Sequence, residues 1–175
     1  GYDGSDYAET AIADLRFAGL PEQAEAIVIS ACDVWESQFA AGEVILADDV
    51  SAFQGRLQNS LAQTKTLAEN GAFLLREKFP DWQIAAETRN GKPAWEIICK
   101  ADEWSANLIA VGSHGRTAIG RVLLGSVSQR VLTEAHCSVR IARQRQKESG
   151  RPLRILIAFD GSDFAEKAVK TVAGR

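Results

Sequence analysis

The chain has 175 residues, 46% of them apolar, which suffices for one cored domain and part of another. A net charge of −3 and an isoelectric point near 5.5 argue against a nucleic acid as main partner, and no apolar run approaches the ~20 residues that span a bilayer. No basic-then-apolar leader opens the chain, and Cys32, Cys99 and Cys137 lack metal-type spacing, so the expectation is a cytoplasmic protein with buried free thiols.

The elements alternate along the chain. Ser5 caps a predicted helix from Asp6 to about Ala18, with Tyr7, Ala8, Ala11, Ile12 and Leu15 as its apolar stripe and Pro21 beyond its end. Residues 26–31 read as a short buried strand, and a looser segment with Gly42, Asp48 and Asp49 follows. A long helix is predicted over about 50–79, with Gly55 and Gly71 as candidate breaks and Pro80 as its stop. Residues 82–88 alternate as a strand, and Asn90-Gly91 marks a turn. Pro93 opens a helix carrying Trp95, Ile97, Ile98, Ala101 and Trp104. A strand at 107–111, a glycine-bearing loop, a helix from Ser126 to about Ala135 and a strand at 138–142 complete the run. Trp35, Trp82, Trp95 and Trp104 read as packing residues.

Short apolar strands alternating with helices predict an α/β fold with a parallel sheet covered on both faces. Ligands in such sheets sit at the carboxyl ends of the strands. The glycine loop lies there: Gly112-Ser113-His114-Gly115, nine residues, then Gly125-Ser126. Backbone N–H groups at a helix start lack intrahelical partners and favour an anion. Glycines let the backbone approach a phosphate and adopt positive φ. The loop therefore reads as a nucleotide-phosphate site, with Arg116 able to approach phosphate oxygens. His114 reads as solvated or backbone-bonded, not catalytic, and His136 has no visible partner. A lysine-dependent P-loop is disfavoured because no lysine precedes Ser126; no G-x-G-x-x-G fingerprint or Gly-x-Ser-x-Gly elbow is present either.

Residues 1–15 recur at an offset of 157, with seven identities in fifteen positions. Gly1-Tyr2-Asp3-Gly4-Ser5 aligns with Ala158-Phe159-Asp160-Gly161-Ser162, and Ala11, Ile12 and Leu15 align with Ala168, Val169 and Val172. An apolar strand, 153–158, leads into the second copy, and none precedes the first. The expected organisation is a domain over 1–143 without its first strand, a linker over 144–152, and the first strand and helix of a second repeat over 153–175. Residues 153–158 are expected to fill the missing strand position, within the chain or by strand swapping. Ser5 and Ser162 read as helix caps, and Asp3 and Asp160 as turn residues or ligand-facing acids.

These residues resemble the universal stress protein family. Its Gly-x2-Gly-x9-Gly-(Ser/Thr) motif is met at Gly112, Gly115, Gly125 and Ser126, and Asp3-Gly4-Ser5, 107–117 and Cys137-Ser138-Val139 are similar to the family as well. The resemblance implies an open parallel five-stranded sheet in the order 3-2-1-4-5 with helices on both faces, and dimers formed through the last strand. It implies ATP as cofactor, with AMP or ADP as further candidates and Mg2+ as an allowed companion. Gly112 and Gly115 would lie beside ribose and phosphates. Gly125 and Ser126, helped by Val127 and Ser128, would hold phosphates. Asp3 would face the ribose and adenine side, with Asp160 as its alternative, and the Ala31 backbone would meet adenine. The leading expectation is an adenine-nucleotide-binding stress regulator that self-associates. The alternatives are a weak ATPase or related adenine-nucleotide enzyme, with Asp3 or Asp160 organising a metal, and a structural dimerisation domain.

Overall fold

Val28 and Ile29 are neighbours in one strand, and their side chains enter two different cores. That alternation is the two-residue period of a strand buried on both faces. The computed structural model describes residues 1–33, 50–115, 124–142 and 156–173. They fall in two units, Gly1–Gln144 and Arg145–Arg175.

In the first unit, β1 (Glu25–Cys32) pairs in parallel with β2 (Gln83–Asn90), in register from Glu25 opposite Gln83 to Cys32 opposite Asn90. A second parallel pair joins β3 (Leu108–Gly112) to β4 (Ser138–Ala142), with Leu108 opposite Ser138 and Gly112 opposite Ala142. The expected five-stranded sheet is therefore not formed by the described residues; they make two two-stranded parallel sheets. The stretch that bonds to both is Gly1–Tyr2, too short for a ladder. Tyr2 N–H donates to Ile29 O at 2.8 Å, and the Gly1 amino group donates to Ala110 O at 3.0 Å. Ser30 Oγ donates to Tyr2 O at 2.6 Å.

The helices close both faces. α1 (Asp6–Asp14) starts at Ser5, whose Oγ accepts from Ala8 N–H, and continues as a 3-10 turn, Leu15–Phe17. α2 (Val50–Lys78) supplies Thr64, Ala68, Ala72 and Leu75 at helical spacing to the face shared with α1. Neither Gly55 nor Gly71 breaks it, contrary to the expected break points. A Cβ at Gly71 would come within 2.8 Å of the Tyr2 ring and 2.9 Å of Val28 Cγ1, so the glycine brings the helix close to β1, and that packing offsets its ~1 kcal/mol propensity cost. On the opposite face lie α3 (Pro93–Glu103), with Ile97, Ile98 and Ala101, and α4 (Ser126–Glu134), with Val131. Arg140 of β4 bonds Asp14 of α1 at 2.7 Å, a largely buried pair joining the two elements.

Two sequence expectations are corrected. Trp95 is 52% exposed, because its position on α3 lies off the stripe formed by Ala94, Ile97, Ile98 and Ala101. The three cysteines are free but half-buried, not buried. In the second unit, α5 (Asp163–Ala173) buries no residue, and residues 156–160 form no strand, so the expected strand is absent over its described part. The linker 144–152, residues 153–155 and Trp35 lie outside the described residues.

Candidate functional site

A cavity of about 460 Å³ opens where β1 and β3 end and α1, α3 and α4 begin. That volume falls within the range of small-molecule sites. The carboxyl end of β3 delivers Gly112 into its wall, followed by Ser113, His114 and Gly115. The loop then returns to α4, and its two ends are tied together twice. Gly125 N–H donates to Ser113 O at 2.8 Å, and Ser128 Oγ donates to Gly112 O at 2.6 Å. Ser113 and Ser128 are both buried.

The motif glycines earn their places through close approach. A Cβ on Gly112 would sit 2.6 Å from Tyr7 O, where α1 crosses the end of β3. A Cβ on Gly125 would sit 3.2 Å from His114 Cα. Gly112, Gly115 and Gly125 are absent from the positive-φ positions, and Gly125 is extended at φ −69° and ψ 158°. The expectation of left-handed backbone in this loop is thus corrected: contact with neighbouring backbone, not φ, excludes a side chain.

α4 begins at Gly125 with no side-chain cap. Gly125 O accepts from Gln129 N–H at 2.9 Å, and the amides of Ser126, Val127 and Ser128 form the first turn. Such amides have no acceptor within the helix. The Gly125 amide is already given to Ser113 O. The Ser128 hydroxyl likewise spends its proton on Gly112 O. Both hold the loop in shape.

Asp3 stands opposite. Its Oδ1 accepts from Ser5 N–H at 3.1 Å and from Ser5 Oγ at 2.6 Å, and its Oδ2 lies 2.8 Å from where a Gly115 Cβ would be. Gly4 supports this turn at φ +77°, a conformation natural to glycine. Asp3, Ala31, Gly112 and Gly115 thus share one cavity with Gly125, Ser126, Val127 and Ser128. Arg116 lies outside the described residues. Asp160 belongs to the second unit, where Ser162 N–H donates to its Oδ1 at 2.9 Å, and bonds from Ser162 hold its carboxyl below the ordinary range.

Sequence reasoning missed the apolar wall. Ile29, Pro93 and Ile97 line the cavity beside Tyr2, and nothing in their pattern separates a cavity wall from a core face. His114 also lines it. Its Nδ1 lies 3.1 Å from Ser113 Oγ, and its ring centroid lies 5.0 Å from that of Tyr7. Among the described lining residues no Lys or Arg is present, and the described residues hold no cluster of three metal-ligating groups. The chemistry on offer is neutral backbone donors, one carboxylate, the His114 imidazole and an apolar wall. No helix among the described residues is long and apolar enough to cross a membrane.

Residues 1–143 match the model of the universal stress protein family. The chain is 37% identical over 93 residues to universal stress protein MJ0531 of Methanocaldococcus jannaschii, a match covering 52% of this chain and 48% of that protein. It is 29% identical over 145 residues to a universal stress protein of Thermus aquaticus, covering 81% of this chain and 94% of the relative. A match to a Mycolicibacterium smegmatis universal stress protein, 30% identical, takes in 63% of this chain and 30% of that protein, so the chain spans half or less of some relatives. Among solved structures, that of Methanocaldococcus jannaschii protein MJ0577 superposes with a TM-score of 0.63 at 24% identity, covering 83% of this chain and 93% of the other. That similarity bears on the fold alone.

Ser128→Ala removes the donor to a buried Gly112 carbonyl and should cost about 1–3 kcal/mol. Gly112→Ala drives a methyl against the Tyr7 carbonyl and should cost about 1–3 kcal/mol. Thermal unfolding of both variants checks this; melting temperatures equal to that of the parent would contradict the geometry.

Proposed function

Because this chain belongs to the universal stress protein family, we propose that it is a stress-response regulatory module that binds an adenine nucleotide, ATP foremost, with AMP and ADP as weaker relatives and Mg2+ accompanying the phosphates. One observation carries the reading: eight residues expected from the sequence to meet a nucleotide line one cavity, with the first-turn amides of α4 at its edge. Phosphates suit the α4 end, where Ser126, Val127 and Ser128 offer N–H donors and the helix dipole favours negative charge. The ribose suits the Asp3 side, and the base suits the apolar wall of Ile29, Pro93 and Ile97 beside the Ala31 backbone.

A binder is favoured over a weak ATPase. Asp3 is the one carboxylate among the described lining residues, and its Oδ1 already accepts two bonds from Ser5. Self-association and a cytoplasmic setting belong to the same proposal, with the bound nucleotide biasing a partner surface.

Calorimetric titration with ATP, ADP, AMP and GTP tests the reading. Saturable ATP binding is expected, weakened at least about tenfold, or 1.4 kcal/mol, by Gly125→Val, whose side chain would push into the His114 backbone. A folded parent chain that ignores millimolar adenine nucleotide would overturn the proposal.

A further inference from the structure

His114 lines the candidate cavity and is carried on backbone that abuts the start of α4. A Cβ on Gly125 would lie 3.2 Å from His114 Cα and 3.7 Å from Gly115 N. The imidazole and the first-turn amides of Ser126, Val127 and Ser128 therefore belong to the same end of the cavity. Among the described lining residues, Asp3 is the acidic side chain, and His114 is the one side chain that can become positive. With Asp3 ionised and the imidazole neutral, the lining side chains present net negative charge to an incoming anion. With an imidazolium they present none.

The surroundings of the ring accommodate both states. Its Nδ1 lies 3.1 Å from Ser113 Oγ. A hydroxyl donates to a bare imidazole nitrogen and accepts from a protonated one, so this contact persists when the ring gains a proton. Ser113 is buried and held by its backbone: its N–H donates to Ala142 O at 2.9 Å, and its carbonyl accepts from Gly125 N–H at 2.8 Å. From α1, the Tyr7 ring stands 5.0 Å away, centroid to centroid, at a 45° tilt. An aromatic ring at that distance attracts a cation. The titratable groups nearby are the Tyr7 phenol, the Asp3 carboxylate, whose charge favours an imidazolium, the Tyr2 phenol, pushed up by burial, and the Gly1 amino group, bonded to Ala110 O. The described lining residues of β1, α3 and α4 bring no charged side chain.

We propose that His114 makes this site selective for phosphate number: it takes up a proton from solvent as a polyphosphate binds, and the imidazolium answers the charge that ATP carries and AMP lacks. The inference rests on the adenine-nucleotide reading above and deepens it. Imidazole is the side chain whose charge changes near neutral pH, and a polyanion brought beside it favours the charged form. The charge does not have to touch a phosphate, because it acts within a Debye length of about 8 Å at physiological salt. Coupling of this kind is reciprocal. A proton taken up on binding therefore makes binding tighter as pH falls. The neutral amides of α4 hold a phosphate at any pH; the imidazole adds the preference for more of them.

Calorimetric titration of the full chain and of His114→Gln with ATP, AMP and adenosine, at about pH 6 and about pH 8, tests it. The parent should bind ATP at least about fivefold tighter at the lower pH, and its preference for ATP over AMP should fall at least about fivefold in the variant. Adenosine should bind both chains alike. Protonation of ATP itself and of the Gly1 amino group is common to both chains, so the difference between them reports His114. Imidazole NMR of the parent needs no variant, because the chain has two histidines. At about pH 7, ATP should move the His114 ring signals toward the imidazolium position and leave those of His136, paired with Asp102 at 3.1 Å, in place. ATP binding with an unmoved His114 ring, or with a pH dependence and an ATP-to-AMP ratio that survive His114→Gln, overturns this inference and leaves the nucleotide reading standing. A parent that binds no adenine nucleotide at either pH overturns both.

Discussion

Two hydrogen bonds hold this molecule's site open: Ser128 Oγ to Gly112 O, and Gly125 N–H to Ser113 O. They fasten the start of a helix to the end of a strand. Without them, the first turn of α4 would have no fixed place relative to β3, and the cavity between them would have no fixed shape. The Ser128 bond is buried, so it is worth more when broken than when counted. A typical hydrogen bond contributes about 1 kcal/mol net, whereas a buried carbonyl left unsatisfied costs up to about 3.

The glycines serve the same clasp. Gly112 lets the Tyr7 backbone cross the end of β3, so α1 settles close enough to carry Asp3 and Ser5 to the cavity's far side. Gly125 lets the returning chain pass against His114. The spacing that marks the family thus has a packing reason. The proposed anion site consists of the amides left over once the clasp has taken its share.

The sequence disclosed the helices well, because their signals are local. Ser5, Pro93 and Pro80 punctuate them, and the stripes of Ala8, Ala11 and Ile12 or of Ile97, Ile98 and Ala101 recur at helical spacing. The loop glycines were legible through spacing alone. The roles of Gly125 N–H and Ser128 Oγ were not, because they depend on partners twelve and sixteen residues away. Trp95 misled because hydrophobicity says nothing of which side of a helix meets the core. The described residues form two parallel strand pairs, and Gly1–Tyr2 bonds to one strand of each, at Ile29 O and Ala110 O. Gly71 misled in the other direction: its cost in helix propensity is visible in the sequence, and the Tyr2 ring packed against it is not.

The account rests on the α4 start as a polyanion cradle shaped by its clasp to β3. Backbone amide NMR during titration with ATP, with adenosine as the uncharged comparison, addresses it most directly. Ser126, Val127 and Ser128 N–H resonances should shift saturably downfield with ATP and little with adenosine, while the Gly125 amide, already bonded to Ser113 O, moves less. Saturable binding that leaves those three amides unmoved would contradict the account.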